Sequence, residues 1–257
     1  MQLAVPARSS DSSLSPAQKR RAEQLTSIFE NDTPELQYDY VEDIGDGRGY
    51  TAGRAGFCTG TADAVQVIRH YNTLRPGNSL QKYMDELEAL VAAFLETGEP
   101  HGDTSGLDAV GSYADDWRER ADDPSFRASQ DIVVDRLYFL PAMEHASRLG
   151  LATALSKAVL YDTIIQHGEE GDASLTDLIE RTHQALGVGS PAEVDEEAWL
   201  REFLQQRYEV LDGTDVWHES RGRVEQFREL LDLGNLDLQG PITTIPTVSG
   251  YTVYTLP

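Results

Sequence analysis

Apolar residues recur at three- and four-residue spacing along most of the chain. Ala22, Leu25, Ile28 and Phe29 form one such stripe. Ser15-Pro16-Ala17-Gln18 in front of it reads as a helix start, with Ser15 as N-cap, Pro16 at the first helical position and Gln18 closing a capping box. Asn31-Asp32-Thr33-Pro34 stops that helix, so Glu30 falls in its last turn and off the stripe. Val65, Val67, Ile68 and Tyr71 precede a break at Arg75-Pro76-Gly77-Asn78; Leu80, Tyr83, Met84, Leu87, Leu90, Val91, Phe94 and Leu95 then make a long amphipathic stripe. Further helices are predicted near 108–120, 124–149, 151–167, 174–186, 195–211 and 219–232. The period changes between Leu36 and Cys58, where Leu36, Tyr38 and Tyr40 alternate and glycines stand at 45, 47, 49, 53, 56 and 60. That stretch reads as a small antiparallel sheet in an otherwise helical protein. Residues 1–14, rich in Ser with Ala and Pro, read as a disordered tail. A length of 257 residues suits one substantial core, so 15–257 is expected to be a single domain of two lobes.

Charge changes the picture more than composition does. Asp and Glu total 44 against 21 Lys and Arg, a formal net charge of −23, which argues against a nucleic-acid partner and favours a polycation. The competing reading is that these acids only solvate the surface. No apolar run approaches the length of a membrane span, and residues 1–14 lack the basic and apolar regions of an export signal. Cys58 is the lone cysteine and follows Phe57 in an apolar context, so a buried structural thiol is expected.

The candidate chemistry centres on Tyr38 to Thr51, where a tight glycine turn between two strand-like runs leaves Asp46 and Arg48 exposed. Backbone amides and Arg48 beside Asp46 would keep that carboxylate ionised and fit to act as a base. Glu30, at a helix C-terminus beside Ile28 and Phe29, is the matching candidate for a proton donor. Two carboxylates of this kind are the equipment of a glycosidase; in an inverting enzyme they stand roughly 6.5 to 9.5 Å apart or more, leaving room for water. Thr51, just beyond the turn, offers a hydroxyl to hold that water in line. Other motifs fail. Gly45-Asp46-Gly47-Arg48-Gly49 lacks the last glycine and the following helix of a dinucleotide fingerprint. Asp43 and Asp46 do not fit a calcium loop. The six histidines show no metal-binding pair, so neither a metal nor a cofactor is expected. Ser190, followed by Pro191, lacks nucleophile-elbow spacing.

Tyr40-Val41-Glu42-Asp43-Ile44-Gly45-Asp46-Gly47-Arg48-Gly49-Tyr50-Thr51, with Gly56-Phe57-Cys58-Thr59-Gly60-Thr61-Ala62-Asp63 and His70-Tyr71, resembles the signature of the chitosanases of glycoside hydrolase family 46. Weaker similarity continues through Leu137-Tyr138-Phe139, Tyr161-Asp162, His167-Gly168 and Gly234 to Leu238. The resemblance implies an endo-acting, inverting hydrolase of β-1,4 links between glucosamine units. It also implies a mainly α, lysozyme-like fold of two lobes with a small antiparallel sheet beside the cleft. By position, Glu30 matches the family's general acid, Asp46 its general base and Thr51 the residue that orients the water. Arg48, Tyr40 and Asp63 match sugar-contacting residues, with Asp63 placed to pair with a substrate ammonium. Asp162, Arg207 and Arg221 match a buried charge network that supports the acid. The expected partners are chitosan and glucosamine oligosaccharides, and the enzyme is expected to work as an extracellular monomer. Two alternatives are a muramidase, which the negative charge disfavours on an anionic wall, and a non-catalytic polycation-binding module.

Overall fold

The computed structural model describes residues 14–213, 218–246 and 252–257. Residues 1–13 of the predicted tail lie outside these; Leu14 is packed, with 8% of its surface exposed. In chain order, α1 (Pro16–Asn31) leads to strands β1 (Val41–Asp43), β2 (Tyr50–Ala52) and β3 (Phe57–Cys58). Then come α2 (Ala64–Leu74), α3 (Met84–Thr97), α4 (Ser105–Val110), α5 (Tyr113–Arg120), α6 (Pro124–Val134) and α7 (Leu140–Leu149). The chain continues through α8 (Ala154–His167), α9 (Leu175–Leu186), α10 (Glu196–Asp212) and α11 (Arg221–Asp232) to a short hairpin of β4 (Ile242–Thr243) and β5 (Thr255–Leu256). The chain divides into two compact units, one of residues up to Pro34 with Tyr138–Pro257, the other Glu35–Leu137.

In the first unit α8 is the central helix: every residue from Ala154 to Ile164 is buried. Most of these residues are apolar, and the polar Ser156, Lys157, Asp162 and Thr163 are buried with them. Helix α1 turns Ala22, Leu25, Ile28 and Phe29 inward, and Phe29 meets Phe227 of α11 edge-on at 5.6 Å between ring centres. Its capping box forms as the sequence predicts, with Ser15 and Gln18 satisfying each other's backbone amides. The last turn ends at Asp32 in the left-handed conformation, which leaves Glu30 on the exposed side.

The second unit carries the three-stranded antiparallel sheet in the order β1-β2-β3. Its core is aromatic: Trp117 meets Phe126 edge-on at 4.8 Å, Tyr71 lies 5.0 Å from Phe126, and Tyr113 stacks with Tyr50 at 5.4 Å. Trp117 Nε1 and Gln130 Nε2 both donate to the Tyr38 carbonyl, at 3.0 Å each. Those two bonds fix the segment that enters β1.

Two predicted helices are divided. The 108–120 run is α4 and α5, separated where Gly111 adopts an extended backbone. A Cβ at Gly111 would lie 2.8 Å from Lys82 Nζ and 3.0 Å from the Tyr83 hydroxyl, so tertiary packing selects the break. The 124–149 run widens into a π turn over Asp135–Phe139 before α7. Pro141 accounts for this, because it has no amide to donate and its ring would press on the carbonyl of Leu137 in a regular helix.

Candidate functional site

In the second unit the register pairs Val41 with Ala52, Glu42 with Thr51 and Asp43 with Tyr50, leaving residues 44–49 as the turn. Glycine is required at Gly49: its φ is +73°, and a Cβ there would sit 2.4 Å from Thr59 Oγ1. Gly60 admits no side chain either, since a Cβ would fall 2.2 Å from the His101 carbonyl oxygen. Gly60 N donates to Arg48 O at 2.8 Å and His101 N donates to Gly60 O at 3.0 Å, so backbone bonds hold the turn from behind.

Asp46 sits at the tip of that turn. Arg48 N donates to its Oδ1 at 3.0 Å, Arg48 Nε to its Oδ2 at 2.7 Å, and Arg48 Nη2 lies 2.6 Å from the same Oδ2. This clasp holds the Asp46 carboxyl below the usual carboxylate range, so it is anionic at neutral pH. With the side chain 29% exposed, the anion remains reachable.

Directly opposite residues in a sheet share a face, so Glu42, Thr51 and Cys58 form one row across the three strands. Thr51 is nearly buried, and its Oγ1 lies 3.7 Å from Cys58 Sγ, which in turn donates to Gly56 O at 3.3 Å. Cys58 is the buried thiol expected, and burial together with Asp63 pushes its pKa up. Asp63 caps α2: its Oδ1 accepts from Cys58 N and Ala64 N at 3.1 Å each and from the Thr61 hydroxyl. Burial raises its pKa despite those bonds, all of which fall on Oδ1. Cys58 thus touches both Thr51 and Asp63, while Arg48, which clasps Asp46, accepts at its carbonyl from Gly60 N, two residues past Cys58. The second unit therefore gathers Asp46, Arg48, Thr51 and Asp63 in one place. Tyr40 is set just before β1, its carbonyl accepting from Gly53 N at 2.7 Å and its hydroxyl donating to Glu42 Oε2 at 3.3 Å.

In the first unit Glu30 has a 42% exposed side chain, while its neighbours Ile28 and Phe29 are buried beneath it. Its partner is Arg223, whose Nη2 lies 2.7 Å from Glu30 Oε1 and 2.9 Å from Asp162 Oδ1. Asp162 Oδ2 takes Arg207 Nη2 at 2.7 Å, Asp162 Oδ1 also accepts from Thr26 Oγ1 at 3.1 Å, and the same Arg207 nitrogen donates to Gln166 Oε1 at 2.6 Å. Burial works against the Asp162 charge, but two guanidiniums outweigh it and hold its carboxyl below the usual range. Burial lowers the Arg207 pKa to about 10, which still leaves the guanidinium charged. Burial and the two arginines push His167 down to about 3, so it is neutral.

This network corrects one expectation. Arg221 lies outside it, donating to the His218 carbonyl at 2.9 Å and pairing with Asp212. Two residues along a helix turn the side chain by about 200°, so Arg221 and Arg223 face nearly opposite ways. The signal was in the pattern: Arg223 is four residues before Phe227 and shares its buried stripe, as Arg207 shares the stripe of Phe203 and Leu211. Thr26, Gln166 and Arg223 are the members the sequence reading missed. Among the described residues no group of three or more His, Cys, Asp or Glu side chains is placed to hold a metal ion.

Residues 24–242 match the glycosyl hydrolase family 46 profile, so the match takes in every residue of both clusters. The chain belongs to glycosyl hydrolase family 46. It is 48% identical over 233 residues to the chitosanase of Bacillus subtilis (strain 168), covering 88% of this chain and 80% of that protein. It is 36% identical over 230 residues to the chitosanase of Streptomyces sp. (strain N174), covering 88% and 78%. Among solved structures, native chitosanase from Bacillus subtilis MY002 superposes with a TM-score of 0.82 at 44% identity, over 95% of this chain and 100% of that one. The Gynuella sunshinyii GH46 chitosanase complexed with chitotetraose gives 0.80 at 44% identity, over 95% and 99%. The mainly helical fold with a small antiparallel sheet is the family's.

Proposed function

We propose that this protein is an endo-acting, inverting chitosanase that hydrolyses β-1,4 bonds between glucosamine units. The observation that carries the proposal is the state of Asp46: an accessible carboxylate, clasped by Arg48 and kept anionic, within a turn that admits no side chain at Gly49 and is backed by Gly60. In this reading Asp46 takes a proton from water as that water attacks the anomeric carbon, and Thr51 orients the water. Glu30 gives its proton to the departing glycosidic oxygen, positioned by Arg223, Asp162 and Arg207. Asp63, whose bonds from the protein all use Oδ1, offers Oδ2 to a substrate ammonium, and Arg48 and Tyr40 contact sugar hydroxyls.

The substrate class agrees with the electrostatics and with the relatives. Glucosamine polymers are cationic near and below neutral pH, and a protein of net charge −23 attracts them. A chitosanase from Bacillus subtilis MY002 was solved with six GlcN and the Gynuella sunshinyii enzyme with chitotetraose. A polymer too large to enter cells calls for an extracellular enzyme, and we propose that it acts there as a monomer. No helix among the described residues is long and apolar enough to cross a membrane.

The test follows the viscosity of dissolved chitosan together with product size and early anomeric composition by proton NMR. Rapid thinning, mixed short oligomers and α anomer appearing first are expected. Binding without loss of viscosity would make the protein a polycation-binding module, and β anomer first would contradict inversion.

A further inference from the structure

Thr26 stands four residues before Glu30 on α1, so the two side chains share one helix face. It is 5% exposed. A threonine inside a helix ordinarily turns its hydroxyl back on the carbonyl one turn earlier. Here the hydroxyl instead donates across to Asp162 Oδ1 on α8, at 3.1 Å. Arg223 Nη2 reaches that same oxygen at 2.9 Å, and the same nitrogen reaches Glu30 Oε1 at 2.7 Å. The bonds close a ring: from Glu30 along one turn of α1 to Thr26, across to Asp162, on to Arg223 and back to Glu30. Each bond in the ring ends on a single shared atom, either Asp162 Oδ1 or Arg223 Nη2, so a shift at one is passed to the next.

We infer that Thr26 is a positioning residue for the proton donor: its hydroxyl registers Asp162 against α1 and thereby sets where Arg223 holds the Glu30 carboxyl. This rests on the assignment of Glu30 as the acid. Without the hydroxyl, Asp162 Oδ1 keeps only Arg223, the arginine follows the aspartate, and Glu30 loses its alignment with the departing oxygen. A valine at 26 would match threonine in shape and fill the same buried space, so shape alone does not call for an oxygen there.

The test compares two substrates: chitosan, whose leaving sugar needs a proton, and a nitrophenyl glycoside of a glucosamine oligomer, whose leaving group departs without one. For Thr26→Val, kcat on chitosan should fall roughly tenfold with KM changed by less than about twofold, the scale of one lost bond to a charged group. On the nitrophenyl substrate it should stay within about twofold of the parent. Thr26→Ser, which keeps the donor, should restore chitosan turnover, and Thr26→Ala should reproduce the split if the valine variant does not fold. Equal losses on both substrates, or none on chitosan, would overturn the inference while leaving the acid assignment standing. Glu30→Gln serves as the reference: if it retains chitosan turnover, the assignment itself fails and the inference with it.

Discussion

The two carboxylates assigned to catalysis are built in opposite ways. Asp46 is clasped by its own neighbourhood: the contacts to its carboxylate come from Arg48, two residues away, on a turn of residues 44–49 that Gly60 and His101 back. Glu30 is held from a distance, by an arginine 193 residues along the chain, which is itself anchored to an aspartate 61 residues from it. A base must remain anionic, and an adjacent guanidinium and amide suffice for that. In the proposed mechanism the acid must be aimed at one oxygen, which calls for a rigid frame. The buried Arg207–Asp162–Arg223 arrangement is that frame, with all three side chains at most 4% exposed.

The contrast predicts that damage to the frame costs stability as well as activity. Asp162→Leu should show the largest effect, because it leaves the buried Arg207 without a carboxylate and Arg223 with Glu30 alone. A loss on the order of 3–5 kcal/mol is expected by urea unfolding, with chitosan turnover abolished. A variant as stable as the parent would mean that the network is not paired as described. The pH dependence follows with a definite sign. The Asp162 carboxyl is depressed on folding, so its contribution is complete above the unfolded value of about 3.9 and is withdrawn as pH falls through the lower folded value. Acid unfolding of the parent should therefore include a proton uptake below about pH 4 that Asp162→Leu lacks. Unchanged uptake in that variant would remove Asp162 as its source.

Smaller effects belong to the turn. Gly49→Ala forces a side chain into a left-handed backbone and against Thr59, so it should cost roughly 1–3 kcal/mol and displace Asp46. The expected readout is a lower melting temperature with a fall in kcat. Arg48→Met removes a half-exposed partner, so its stability change should stay below about 1 kcal/mol while activity drops sharply. A large stability loss there would show that the Arg48 side chain holds more of the unit than the Asp46 carboxylate. Arg221→Met sets the lower bound: this arginine pairs with Asp212 away from the acid, and its loss should leave chitosan turnover within about twofold of the parent.

The same contrast explains what could be read before the fold was seen. The capping box of α1, the hairpin and the Arg48 clasp on Asp46 each involve partners within about ten residues, and local chemistry specifies them. Asp162 and Arg207 could be matched by position, but the second arginine was misplaced at Arg221, since two arginines flank Gly222 and matching by position does not separate them. Only the stripe shared with Phe227 marks Arg223 as the inward one. The breaks at Gly111 and Asp135–Phe139 were missed for different reasons. Packing against Lys82 and Tyr83 selects the first, whereas the second was signalled by Pro141 inside a predicted helix. Thr26 gave no sign, since a threonine on an amphipathic helix reads as a neutral position until its partner 136 residues away is known.

The division of labour between the two carboxylates is tested most directly by assaying Glu30→Gln and Asp46→Asn on chitosan and on the nitrophenyl glycoside of a glucosamine oligomer. Both variants should be inactive on chitosan. On the activated substrate Glu30→Gln should recover substantial turnover, because its proton is no longer needed, and Asp46→Asn should stay inactive, because water must still be activated. Recovery by Asp46→Asn, or none by Glu30→Gln, would contradict the assignment of acid and base.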